Sequence, residues 1–116
     1  MKSFAGGCHC GALKVIFTTG RDAIDVWPRA CDCSFCRRHG AAYLSDRDGQ
    51  LEIVDSGNNV YQFGFRITDF HICQQCGVLV AATWRDSDGA IFGVANMRAL
   101  EITDFFKNAP AQINFD

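Results

Sequence analysis

Seven cysteines fall in three tight clusters, and their spacing limits the possible folds more than any other feature of the chain. The clusters are Cys8-His9-Cys10, Cys31-Asp32-Cys33-Ser34-Phe35-Cys36 and Cys73-Gln74-Gln75-Cys76. A Cys-x2-Cys turn lets both sulfurs reach one ion. Glycine after it (Gly11 and Gly77 close the first and third clusters) accepts the left-handed conformation that wraps the backbone around the metal. Cys-x-Cys does the same where the chain bends, because side chains two residues apart leave an extended strand on one side. Zinc takes thiolates at ~2.3 Å in tetrahedral geometry, and its closed structural sites use four protein ligands. Seven thiols then divide as four plus three. Three protein ligands with one exchangeable position form the pattern of a reactive zinc. A disulfide framework fits less well, since an odd count strands one thiol and a reducing compartment keeps clustered cysteines available for metal.

Spacing alone leaves the pairing open. One partition joins Cys33 and Cys36 to Cys73 and Cys76. The other joins Cys8 and Cys10 to Cys73 and Cys76, leaving Cys31, Cys33 and Cys36 as a contiguous triad. The second is simpler, because it splits no cluster. In a purely structural version the triad is closed by a histidine such as His39, since three cysteines and one histidine also make a structural site.

The 116 residues fit one domain, 1–116. With 11 Lys+Arg against 13 Asp+Glu and net charge −2, the chain has no basic stripe, so no nucleic-acid partner is expected. No apolar run is long enough to span a bilayer. The start, Met1 to Cys10, carries one lysine and no apolar signal core, so the expected location is cytoplasmic.

Turn signals punctuate the chain too often for long helices, which predicts a mainly β domain with cysteine knuckles at strand ends. Strand candidates are Ala12 to Thr18, Ala41 to Ser45, Gln50 to Val54, Val60 to Phe63 and Ile67 to Ile72. Gly20 to Ala30 reads as a loop around Pro28, and Ser56-Gly57-Asn58-Asn59 as a turn. The clearest hairpin pairs Val78 to Trp84 with Ala90 to Ala95 across Arg85-Asp86-Ser87-Asp88-Gly89, a polar loop ending in glycine. Met97 to Asp116 shows no strong period.

Three segments carry a resemblance: Gly-Gly-Cys-His-Cys-Gly-Ala-Leu from Gly6, Cys-Asp-Cys-Ser-Phe-Cys-Arg-Arg from Cys31, and Phe-His-Ile-Cys-Gln-Gln-Cys-Gly-Val from Phe70. In this order and spacing the chain resembles the glutathione-dependent formaldehyde-activating enzyme family, which also contains the centromere protein V type of domain. The resemblance runs from Gly6 to about Leu100. It implies an Mss4-like fold of small antiparallel sheets. It implies a structural zinc on Cys8, Cys10, Cys73 and Cys76, and a second, reaction-centre zinc on Cys31, Cys33 and Cys36. The activity it implies is addition of glutathione to formaldehyde, a carbon–sulfur lyase reaction in reverse. The family's middle motif usually reads Cys-His-Cys, and Asp32 stands where that histidine would be. A proton-handling role of the histidine beside the metal would be lost or altered.

Three thiolates on Zn²⁺ leave a net charge of −1, a poor setting for activating water and a good one for a fourth, substrate sulfur. The expected partners are therefore a small thiol and a small aldehyde. Arg37 and Arg38 follow the triad, and Arg37 is the residue expected to meet a substrate carboxylate. His9 is expected to face solvent and His71 to be structural. Phe35, Tyr43 and Trp84 either line a pocket or belong to the core, and Asn96 is expected to serve a turn. The competing function is a non-catalytic zinc-stabilised binding module, which requires a closed second site.

Overall fold

The computed structural model describes residues 2–54, 58–101 and 112–114. Its elements are strands β1 (Lys2–Gly7), β2 (Lys14–Thr19) and β3 (Arg29–Cys31), helix α1 (Ser34–His39), and strands β4 (Ala42–Leu44), β5 (Gln50–Val54), β6 (Asn58–Tyr61), β7 (Thr68–Cys73), β8 (Leu79–Arg85), β9 (Ile91–Asn96) and β10 (Gln112–Asn114). Single turns of 3₁₀ helix cover Ala23–Val26 and Met97–Ala99. The chain is mainly β, as its turn-rich sequence predicts.

Two sheets form. The smaller has the order β1-β2-β5 and the larger β10-β3-β4-β9-β8-β7-β6. Every pairing is antiparallel except β10 with β3, which is parallel. The two sheets meet through residues dictated by strand alternation. On β2, Val15, Phe17 and Thr19 are buried while Lys14 is exposed. On β5, Leu51 and Ile53 are covered and Gln50, Glu52 and Val54 are not. Val15 and Phe17 pack with Phe4, Leu13, Leu44, Val80 and Ala95 in the main core. A second cluster gathers Cys36 of α1 with Tyr43, Phe70, Leu79 and Ala82. Leu79 to Ala82 are four consecutive buried residues, so both faces of β8 are covered. That explains a continuous apolar run where alternation would otherwise be expected.

Boundaries agree with the sequence in β5 and in the β8–β9 hairpin to within a residue. Asn58 and Asn59, expected in a turn, instead begin β6 and pair with Cys73 and Ile72. The expected loop from Gly20 to Ala30 contains a 3₁₀ turn and the start of β3. Ser56 and Gly57 lie outside the described residues, as do 102–111, 115 and 116 of the C-terminal stretch. Among the described residues no helix is long and apolar enough to cross a membrane.

Candidate metal centres and the adjoining cleft

Cys8 follows β1, and the chain turns back at once. Cys8 N donates to Leu13 O at 2.8 Å, Leu13 N to Cys8 Sγ at 3.2 Å, and Gly11 sits at φ +86°. The same construction recurs after β7. Cys73 N donates to Val78 O at 3.1 Å, Gly77 N to Cys73 O at 2.9 Å, and Gly77 sits at φ +80°. Gln75 N and Cys76 N point at Cys73 Sγ from 3.4 and 3.5 Å. In both turns backbone N–H groups are aimed at sulfur, which favours the thiolate.

The two turns face each other. The Sγ atoms of Cys8, Cys10, Cys73 and Cys76 lie within 4.8 Å of one another. Cys10 Sγ is 3.6 Å from both Cys8 Sγ and Cys73 Sγ. Thiolates at ~2.3 Å around a tetrahedral ion stand about 3.8 Å apart. The four sulfurs therefore fit one cation of that size. Of the two partitions left open by spacing, the structure takes the one that splits no cluster. The pressure to share charge is visible in the thiols. Backbone N–H groups of Cys10 and Val78 bring Cys76 down to about 6. Cys10 is pushed up to about 11: a backbone hydrogen bond at Ala12 opposes the rise, and the neighbouring Cys73 and Cys8 thiols outweigh it. Four adjacent thiolates require a cation to coexist.

Cys31, Cys33 and Cys36 form the second group, again within 4.8 Å of one another. Cys31 ends β3. Cys33 is the N-cap of α1 and accepts from Cys36 N at 3.3 Å. Cys36 lies on the inner face of the helix, 1 % exposed. The helix stops at Gly40, φ +62°, whose N–H reaches back to Arg37 O. Burial pushes the Cys36 thiol up against the pull of the Tyr43 hydroxyl, 3.1 Å away. Cys33 is lowered despite its burial, through the Cys36 N–H and its thiol neighbours.

Among the described residues no histidine joins either group. The ring of His39 packs on Phe35 with centroids 4.5 Å apart. His9 and Asp32 are exposed. The His71 ring is held between Asn58 and Thr83 at 2.9 and 2.7 Å. Asn96 caps the 3₁₀ turn through Arg98 N and donates to Leu79 O, a turn role as expected. Arg38 donates to Ser34 O within α1. Arg37 is exposed on α1.

A cleft of about 760 Å³ opens beside the triad, with Cys31, Cys36, Tyr43, Trp84, Arg29 and Asp25 in its wall. Arg37 is not part of that wall. Of the three aromatics singled out in the sequence, Tyr43 and Trp84 line the cleft, and Phe35 instead stacks on Tyr61 and packs at a tilt against Phe70. A smaller groove of about 440 Å³ lies between β5 and β9; it adjoins the cleft through Asp46, Arg47, Phe92 and Gly93 but has no cysteine in its lining. Sequence reasoning missed Arg29 as a cleft residue, and two-residue spacing from Cys31 on a strand was the signal for it.

Residues 3–106 match the family model for glutathione-dependent formaldehyde-activating enzyme. The chain is also similar to a crystal structure of a Rhodobacter sphaeroides protein. The TM-score is 0.73 at 28% identity, over 95% of this chain and 99% of the other.

Proposed function

The chain belongs to the glutathione-dependent formaldehyde-activating enzyme family, and from that premise we propose that it joins a small thiol, glutathione or a similar one, to a small aldehyde such as formaldehyde. The reaction is of the carbon–sulfur lyase type, run toward bond formation. One observation carries the reading: the three-cysteine group borders a cleft large enough for a small molecule, whereas the other group already has four sulfurs. Zinc is the metal proposed for both, since a set of closely spaced thiolates suits it. The residues 1–116 act as one domain in this reading. A reducing, cytoplasmic setting belongs to it as well, because all seven cysteines must stay out of disulfides to hold metal.

Zinc at the triad would supply a soft cation that keeps a substrate sulfur deprotonated at neutral pH. The chain's own groups do the rest. Cys31, Cys33 and Cys36 would supply three sulfurs, and the cleft lined by Cys31 and Cys36 has room for a fourth. Tyr43 holds Cys36 in place through its hydroxyl. Trp84 and Phe92 give the cleft an apolar wall that limits water around the reacting atoms. The thiol gives up its proton, its sulfur adds to the aldehyde carbon as the C=O π bond opens, and the carbonyl oxygen takes up one proton to become a hydroxyl. Arg37 remains a candidate for a substrate carboxylate at the rim of α1.

Cobalt replacement tests the reading. Cobalt in the full chain should show thiolate charge-transfer bands that change when glutathione is added. The same chain with zinc should accelerate formation of S-hydroxymethylglutathione from glutathione and ¹³C-formaldehyde, followed by NMR. Bands that ignore glutathione, with no acceleration, would leave a zinc-stabilised binding module as the function.

A further inference from the structure

Arg29 and Cys31 are two residues apart on β3. Strand geometry sends such side chains to the same face, about 6.6 Å apart along the chain. Both line the cleft. The cleft wall contains three guanidinium groups, Arg21, Arg29 and Arg47, and three carboxylates, Asp25, Asp46 and Asp48. Two of the cations are engaged. Arg21 pairs with Asp46 at 3.2 Å, and Arg47 lies over the Phe92 ring at 4.5 Å. Arg29 is exposed and, among the described residues, has no ion pair and no aromatic partner. Of the three arginines in the cleft wall it is thus the uncommitted one.

We propose that Arg29 determines which thiol the centre accepts, by receiving a carboxylate of an anionic thiol whose sulfur faces Cys31, Cys33 and Cys36. This rests on the thiol reading of that centre. The charge balance makes the cation decisive. Without Arg29 the wall keeps two guanidiniums against three carboxylates, next to a metal–trithiolate centre that would carry a net charge of −1, and an anionic substrate is repelled. With it, the planar fork can hold a carboxylate by two parallel hydrogen bonds. A neutral thiol gains nothing from the residue.

The cobalt-loaded full chain is titrated with glutathione and with neutral 2-mercaptoethanol, and the charge-transfer bands are followed. Glutathione should bind more tightly than 2-mercaptoethanol. Arg29→Gln should weaken glutathione by at least ~10-fold, the lower end for a lost charge-assisted hydrogen bond, and leave 2-mercaptoethanol unchanged. Arg29→Lys should recover part of the loss. Unchanged cobalt bands before thiol addition show that the variants keep the centre. If Arg29→Gln weakens both thiols equally or neither, the assignment is overturned while the thiol reading stands. A selective loss in Arg37→Gln with none in Arg29→Gln overturns it in favour of α1. If neither thiol alters the bands of the native chain, the thiol reading falls and Arg29 with it.

Discussion

The Tyr43 hydroxyl lies 3.1 Å from Cys36 Sγ, and both residues are buried, Tyr43 to 8 % and Cys36 to 1 % exposure. A hydroxyl donating to a thiolate draws charge from the sulfur and fixes its direction. Tyr43→Phe keeps the ring and removes the donor. It should shift the thiolate charge-transfer bands of cobalt at the triad and weaken metal there, at a cost of about 1–3 kcal/mol for a buried sulfur left without its partner. The four-cysteine centre should be untouched. Identical bands and equal metal affinity in the variant would show that the contact is packing only.

The two centres should differ in how tightly they bind metal and how much stability they supply. Four protein thiolates spanning two sheets make metal binding part of the folding free energy. Cys73→Ser or Cys8→Ser should therefore lower the melting temperature strongly. Cys33→Ser should lower it less and abolish thiol binding. Graded chelator should remove metal from the triad first. Thermal melts with the reverse ranking would exchange the roles of the two centres.

Gly77 sits at φ +80° in open space, so an added Cβ meets strain in the backbone and no clash. Gly77→Ala should cost about 1–2 kcal/mol, the penalty for a left-handed L-residue. The loss should be larger with metal bound than without, because the strained turn carries Cys73 and Cys76. Urea melts of loaded and metal-free protein measure both. Equal losses in the two forms would separate the turn from metal binding.

Asp46 gives a pH signature. Its side chain is 2 % exposed, accepts from Thr19 Oγ1 at 2.6 Å and from Asp48 N at 3.0 Å, and pairs with Arg21 at 3.2 Å. The Thr19 bond, with smaller help from Asp48 N–H and Arg21, holds the carboxyl below its ordinary 3.8 despite burial. The unfolded chain then binds the proton more readily, so this contribution is complete above the unfolded pKa and disappears as pH falls through the lower folded value. Native protein should exceed Asp46→Asn in stability at neutral pH. The gap should narrow below about pH 4, near the model-peptide carboxylate value. Comparing the two chains cancels the acid release of metal common to both. A gap that does not change with pH would rule out the ionised carboxylate as its source.

Much of the β framework was readable because its signals are local. Gln50 to Val54 alternates, and the Asp86 to Gly89 loop carries turn chemistry between two apolar runs. The sulfur clusters were readable for the same reason. Which cluster meets which was not, because Cys10 and Cys73 are 63 residues apart and only the two-sheet arrangement brings them together. Strand β1 was missed because Ala5-Gly6-Gly7 has weak strand propensity, and its register comes from β2. Strand β10 is three residues long and exists by pairing with β3. Helix α1 did leave signs: Cys33 at the N-cap, basic residues Arg37, Arg38 and His39 in the last turn, and Gly40 at the stop. They were obscured by the knuckle spacing that shares the same residues. Nothing in the spacing of Cys36 and Tyr43 announced their contact.

The 63-residue separation of Cys10 and Cys73 also sets an order of events in folding. A loop that long is closed only after long-range pairing has brought its ends together, so the four-sulfur centre can complete itself only late. The triad spans six consecutive positions, Cys31 to Cys36, so its three sulfurs come together without a long loop to close. A chain still emerging from synthesis can therefore capture metal at the triad before the rest has folded. The centre expected to hold its metal less firmly in the finished protein is the one positioned to acquire it first.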